Sequence, residues 1–550
     1  MPTKTQYQKR RKALRNECVS GGWYDHWREL NQWVMPRSGV FDQSSNVYKG
    51  EKRGQNIINS RATKAARTLG YGMTMGVTSP ARPWARFTTP DPEMAEYSSV
   101  REWLDLVRER MMWIFARSNL YQSLHAAWTT LGVYGTPAVG IFEDYDRVLR
   151  TQVYPVGSYY LATDHHGRVN TFYRDFKLSV KQLVDKFGDK VVSQPVKDLY
   201  ARGNYDVQID VVHLIEPNDD RDPNVRNNRN MPFRSVYYEL NSKNEEKLYQ
   251  GGFEQFQILA PRWSVNGQNV YGDSPGMDLL GDVKQLQAEE INKAMGVEKM
   301  VDPPLSAPSS LEHKLVSNYP GGVTYHDVAS GFEGVRTLYD TRLPINEVRQ
   351  DIREIEQRIS EGFFEDLFLM LAHSDRRQIT AREIEERHQE KLLMLGPVLD
   401  RLHDEALRPL IDLTFDIMVR NNLVPPPPPE LEDMNYEVEY ISILAQAQRL
   451  IETSTIGDTA AFVGSLIEAF PTAADKFDAD QAIDEFHDSI GAPASIIRSD
   501  DEVAAIRQQR QQAQQQQQAI EAMNQAAQGA KLLSETETNP DNLLGQLFGP

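Results

Sequence analysis

Gly70-Tyr71-Gly72 with Gly76 is the nearest approach in this sequence to a phosphate-cradling loop. A dinucleotide loop must sit between a strand and a helix, whereas Ala62, Ala65, Ala66, Leu69 and Met73 recur around these glycines at helical spacing. The glycines therefore fall near the end of a helix. Asp164-His165-His166-Gly167 could place two imidazoles and a carboxylate on a metal, but the same four residues make a good turn between two strand-like runs. His373 near Asp375 could act as a base, yet no nucleophile or third group is placed beside it. Carboxylate pairs such as Asp144 and Asp146 abound and carry no role on their own; a scattered nuclease-type carboxylate cluster stays open. There is no G-x-x-x-x-G-K-[ST] and no H-E-x-x-H, so neither a P-loop nor a zinc-hydrolase motif is present. Cys18 is the single cysteine, which excludes an intrachain disulfide. No catalytic residue, metal or cofactor is assigned.

Two basic clusters could meet phosphate: Lys9-Arg10-Arg11-Lys12, which also reads as a solvated helix start, and Arg376-Arg377. With no base-reading motif, any DNA contact would be sequence-independent. Charge is distributed unevenly along the 550 residues, whose net formal value is minus 18. Met1 to Gly76 is plus 9, Glu430 to Pro550 is minus 15, and the middle is minus 12. Such polarity places the two ends against different surroundings. A 40% hydrophobic, 25% charged composition excludes a wholly disordered or collagen-like chain. No apolar run approaches the ~20 residues that span a bilayer. Met1 to Arg15 lacks the apolar stretch of a secretory signal, so folding in a cytoplasm is expected.

The elements that must carry these residues fall into two styles. Helices are expected over Arg28 to Met35, Asn59 to Met75, Trp103 to Phe115 and Leu120 to Leu131. Strands follow over Ala138 to Phe142, Val148 to Tyr154, Ser158 to Ala162 and Val169 to Arg174. A different architecture starts beyond Tyr271-Gly272-Asp273-Ser274-Pro275. Asp278 to Val301 reads as a long helix stopped by Asp302-Pro303-Pro304, and a second follows Pro344. Between them, Leu305 to Asp340 reads as a small β-containing insertion. The second helix carries Ile345, Val348, Ile352, Ile355 and Ile359 in a stripe of about 80°, flanked by charge. That suits packing in a ring or bundle and equally an ordinary surface helix. Glu354 and Arg358 are spaced for an (i, i+4) pair. Thereafter come an apolar segment, Phe363 to Ala372, and a capping box at Thr380-Ala381-Arg382-Glu383. It opens a long helix with Gly396-Pro397 inside it, which should kink. A polyproline spacer within Asn421 to Glu430, a strand over Tyr436 to Ser442, a helix over Ile443 to Glu452 and an acidic helical region to Ile506 complete the order. From Gln508 to Gln518 nine of eleven residues are Gln, which either extend a helix or are unstructured.

Read in order, Leu69-Gly70-Tyr71-Gly72-Met73, Gly76 through Trp84, Ser118-Asn119-Leu120-Tyr121, Gly132 to Thr136, Arg262-Trp263, Tyr271 to Pro275, Thr380 to Ile384, Gln389 to Leu392 and Glu439 to Ser442 resemble the portal proteins, or head-to-tail connectors, of T7-like short-tailed bacteriophages. The resemblance runs from about residue 55 to 510, and its strength lies in the joint order of the motifs. It implies an α+β, predominantly helical portal fold. Residues 1–272 with 380–440 would be the wing, 273–301 and 344–364 the channel-lining stem, and 302–343 the clip. Residues 365–379 would be a tunnel loop including Leu369, His373, Ser374 and Asp375, and 441–506 the crown. Residues 507–550 would be a barrel extension or tail.

The family further implies a non-enzymatic ring of about twelve copies at one capsid vertex. Double-stranded DNA would pass through it, and its partners would be the terminase large subunit, major capsid protein, scaffold protein, tail adaptor and internal core proteins, without a membrane. Within such a bore, acidic walls repel phosphate while sparse basic rings touch it weakly; Lys293, Lys299, Arg349, Arg353, Arg376 and Arg377 are the DNA-channel candidates. The basic N-terminal region would face the shell and the acidic C-terminal region the packaged DNA. A terminase-type enzyme would need the missing P-loop, and a scaffold or soluble tail adaptor would lack the helix, β insertion, helix order.

Overall fold

The computed structural model describes residues 2–41, 53–89, 97–222, 224–225, 227–242, 245–306, 336–337, 344–373, 394–431, 437–440, 444, 459–466, 470, 476–483, 503–517, 520 and 523. Two compact units divide at Ser454 and Thr455.

The first unit opens with α1 (Lys4–Ser20), capped by Thr3 and Gln6 in a reciprocal box. Its inward residues Tyr7, Leu14 and Cys18 are buried among outward-facing charges. The N-terminal charge is partly spent inside the chain. Arg11 clamps Asp175 in a forked pair, and Lys4 Nζ donates to the Ser242 carbonyl at 2.6 Å. Helices α2 (Trp23–Trp33), α3 (Arg61–Val77), α4 (Ser98–Arg117) and α5 (Leu120–Tyr134) follow. Trp27, Trp84 and Trp128 are fully buried in their shared core, and the Trp27 and Trp128 indoles donate to Tyr134 O at 3.0 Å and Thr78 Oγ1 at 3.1 Å. A buried indole needs such a partner.

Antiparallel strands come next. β2 (Ala138–Asp144) pairs with β3 (Val148–Tyr154) and with β9 (Ile258–Leu259). A second sheet orders β4 (Tyr159–Thr163), β5 (Val169–Ser179), β6 (Gln208–Pro217), β7 (Phe233–Glu239) and β8 (Tyr249–Phe253) as neighbours in sequence. Helices α6 (Val180–Phe187) and α7 (Gln194–Ala201) sit in the β5–β6 connection and build a smaller apolar cluster around Val180, Leu183 and Val196. Asp164-His165-His166-Gly167 is the β4–β5 hairpin turn. Asp164 Oδ1 accepts the amides of His166 and Arg168, each at 2.9 Å, so the carboxylate serves the turn. Asp144 likewise accepts the Asp146 amide. Among the described residues no cluster of three metal-ligating side chains occurs.

Helix α8 (Leu280–Val301) and α9 (Ile345–Gly362) have the bounds their flanking prolines dictate. Arg358 meets Asp282 near one end of the pair, and β10 (Leu305–Ser306) pairs with β11 (Arg336–Thr337) beyond the other, so the two helices run antiparallel. Helix α10 (Glu365–His373) follows α9 directly. Thus the first nine residues of the expected tunnel loop are helical, because Phe363, Leu367 and Phe368 bury against the core. Helix α11 spans 394–402, passes through a π-turn at His403–Leu407 and continues as Arg408–Arg420. A π-turn interrupts it, and Gly396-Pro397 lies in its first described turn, the residues immediately before 394 lying outside the described residues. β12 (Glu437–Tyr440) returns to pair with β1 (Ala85–Thr88). In the second unit residues 459–466 and 503–517 are helical, the latter taking in most of the glutamine run.

Buried Cys18 gives a direct test of the packing between α1 and the first core. It is 1% exposed, and burial pushes its thiol up to about 12. Roughly a thousandfold less thiolate than in an ordinary cysteine is expected at mildly alkaline pH. Iodoacetamide should label the native chain slowly and the denatured chain at the ordinary rate. Because the folded value is the higher one, this thiol's contribution to stability is complete below the unfolded value and is lost as pH rises toward about 12.

Candidate functional site

The helical pair α8–α9 and the segment that docks it on α3 form the best-defined functional region. Only the α9 stripe residues near the body, Ile352, Ile355 and Ile359, are buried. They pack within the chain against α8, α3 and α10, so this part of the stripe is not left for a neighbouring copy. Further out, α8 shows Ile291, Met295, Met300 and Val301 to solvent, 40 to 81% exposed. The expected Glu354–Arg358 pair does not form. Arg358 turns to Asp282 of α8, its Nη2 at 3.1 Å, and Glu354 accepts from Gln350 at 3.2 Å. An interhelix partner replaces a local one worth only a few tenths of a kcal/mol.

A polar hub fixes the pair at its base. Gln287, buried on the apolar face of α8, accepts the amides of Ile58 at 2.7 Å and Asn59 at 2.9 Å, and donates back to the Asn59 carbonyl at 2.9 Å. Asn59 Nδ2 donates to Glu356 of α9 at 2.7 Å and to Glu290 of α8 at 3.1 Å. Arg61 at the start of α3 pairs with Glu365 of α10, which also accepts from Ser360 at 2.5 Å. Nothing local in the sequence marks these partners. The one available signal is Gln287 itself, a polar residue between Val283, Leu286 and the next turn.

From that hub α10 lies against α3. Gly72 faces Phe368 so closely that a β-carbon would overlap the ring, and Gly70 meets Thr129 of α5 in the same way. The glycines singled out in the sequence are thus contact points for two neighbouring helices, not a phosphate loop. Phe364, at the α9–α10 junction, has φ +55°, a conformation that a bulky side chain adopts only when its surroundings impose it. At the other end of the wall, burial and the neighbouring Asp273 carboxylate raise the Asp278 carboxyl above its usual range.

The basic candidates divide by partner. Lys293 is tied to Glu290 one turn back. Lys299, Arg349 and Arg353 are exposed, and among the described residues none has an ion pair. Arg349 and Arg353 share one side of α9 by their four-residue spacing. Leu369 is 40% exposed on α10, and His373 is the last residue of that helix. Ser374, Asp375, Arg376, Arg377, the capping box at Thr380, the interior of the clip and all of the 443–452 helix except Leu444 lie outside the described residues.

The chain was compared with known proteins. A family model described as "Bacteriophage head to tail connecting protein" matches residues 4–497. A "Probable portal protein" of Bordetella phage BPP-1 is 42% identical over 532 residues, covering 96% of this chain and 95% of that protein. A "Portal protein" of Salmonella phage epsilon15 is 43% identical over the same length and shares. An α+β body carrying a long antiparallel helical excursion is the architecture on which that match extends nearly from end to end, and this chain belongs to the bacteriophage head-to-tail connecting, or portal, proteins.

Proposed function

We propose that about twelve copies close into a ring at one capsid vertex, as symmetric oligomers with a heterologous interface do, and that α8 and α9 wall the channel through which double-stranded DNA enters and leaves. The observation that carries this is the outer half of α8. Its exposed Ile291, Met295, Met300 and Val301 leave apolar surface that a lone chain would not retain and that neighbouring copies would cover. In this reading the protein is a structural conduit without catalysis. The β-containing tip beyond β10 and β11 receives the terminase large subunit and later the tail adaptor, and the body meets the major capsid, scaffold and internal core proteins. The chain is assembled in the host cytoplasm; no helix among the described residues is long and apolar enough to cross a membrane.

Electron microscopy of the purified protein should show rings with a central hole, and a persistent monomer that hydrolyses ATP would overturn the reading. Contacts in the channel must be weak, because tight phosphate binding would stall sliding. Lys299, Arg349 and Arg353, exposed and without an ion pair among the described residues, are candidates for such contacts. Replacing Arg349 and Arg353, or Arg376 and Arg377, with Ala should leave ring formation unchanged and alter the DNA content of filled particles. Normal DNA content in both double variants would remove these residues from the channel.

A further inference from the structure

Away from the stem, one face of the five-stranded sheet gathers Arg174 and Lys186, neither with an ion pair among the described residues. Cross-strand register places Arg174 opposite His213, His213 opposite Tyr237 and Tyr237 opposite Tyr249, so the four side chains share a face. The Arg174 guanidinium lies 4.6 Å from the Tyr154 ring centre and 4.2 Å from that of Phe176. Lys186, reaching over from α6, places its ammonium 4.5 Å from Tyr237. Arg150 of β3 stands over Phe142 at 5.9 Å. His213 stacks on Tyr237 at 3.9 Å, nearly parallel, and its Nε2 is 3.0 Å from Ser235 Oγ.

Among the described residues neither Arg174 nor Lys186 has an ion pair. Arg150 has only Asp144, at 3.9 Å on an exposed strand end. Burial lowers the Arg174 and Lys186 values, and for Lys186 the charges of Arg174 and Arg150 lower it further. Burial, with Arg174 and Lys186 nearby, holds His213 well below its usual range and therefore neutral. Gathering Arg174 and Lys186 over aromatic rings without a carboxylate, beside Arg150 with its single long ion pair, costs stability, and such a local conflict is the mark of a site kept for a ligand. Cation–π contacts offset part of that cost. On a chain of net charge minus 18, the cluster also runs against the prevailing sign.

We propose that this patch formed by β3, the β5–β8 face and α6 docks an acidic peptide segment of a protein partner, one carboxylate bridging Arg174 and Lys186 while an apolar neighbour rests on Tyr237 and the 44%-exposed Tyr249. Arginine and tyrosine are the residues that most often anchor such interfaces. This docking site is independent of the DNA-conduit reading and stands whether or not the stem lines a channel.

The test uses the full chain and a fluorescent peptide of alternating Glu and Tyr, followed by anisotropy. Lys186→Glu should weaken binding by about tenfold or more, whereas Lys181→Glu, exposed on the same helix, should change it less than about twofold. Arg150→Glu, also exposed, provides a second variant that leaves the buried rings in place, and it should weaken binding in the same direction. No saturable binding, or equal losses in the Lys186 and Lys181 variants, overturns the site. Competition by a DNA duplex or by inorganic phosphate as effective as that of the unlabelled peptide overturns the assignment to a peptide carboxylate.

Discussion

Phe368→Ala should destabilise the first unit by about 3 to 5 kcal/mol, the range for emptying a buried phenylalanine site, because its ring is fully buried in the contact between α3 and α10. Gly72→Ala acts on the same contact from the other side. A methyl group on α3 gains up to about 1 kcal/mol in helix propensity. It must also displace the Phe368 ring or push the helices apart, an overpacking cost of about 1 to 3 kcal/mol and occasionally more. Overpacking wins, since all three nearest ring and β-carbon atoms would be overlapped at once. In the Phe368→Ala background the ring is gone but the β-carbon of residue 368 still faces the new methyl group, so Gly72→Ala should cost less than in the unaltered chain without becoming favourable. Denaturation midpoints of the four chains, with hydrogen exchange over 365–373, measure this coupling. Simple additivity of the two substitutions would mean that α10 does not rest in the Gly72 notch.

That contact marks where sequence reading stops. The ends of α8 and α9 were legible because Asp302-Pro303-Pro304 and Pro344 act locally, and β3 was legible from its alternation and its flanking turn. Of helix α1 only a solvated start at Lys9 to Lys12 was legible and not its length, since the basic residues that dominate its composition hide a sparse inward stripe of Tyr7, Leu14 and Cys18. Strand β6 is buried along most of its length, and its run Val211-Val212-His213-Leu214-Ile215 has no alternation to distinguish it from a buried helix. The portal family was readable from motif order, because that order survives without knowledge of contacts. The partners of Gly72, Gln287 and Arg358 depend on which distant segments meet, and spacing within one helix does not report that. The cationic row at Arg174 and Lys186 was invisible for the same reason: two strands and a helix contribute one cation each, Arg150, Arg174 and Lys186.

Arg262 is the second place where one side chain holds distant segments together. Its Nη2 donates to Glu405 at 2.6 Å and to the Gly167 carbonyl at 2.8 Å, its Nη1 to the Asn269 carbonyl at 3.3 Å, and its own amide to Glu405 at 2.9 Å. Glu405 sits in the π-turn of α11, so one guanidinium joins that helix to the β4–β5 hairpin. The side chains are 6% and 19% exposed, which leaves little solvent to take over for a missing partner. Arg262→Ala should therefore cost about 3 to 5 kcal/mol, the penalty for stranding one charge of a buried pair. Arg262→Lys should recover only part of it, since an ammonium cannot reproduce the fork that spans Glu405 and two carbonyls. Replacing both partners with apolar groups, Arg262→Met with Glu405→Leu, should restore most of the loss by removing the stranded charge. If the double variant unfolds as readily as Arg262→Ala, the two carbonyls, and not the carboxylate, set the cost, and the clamp lies between the hairpin and residue 262 alone.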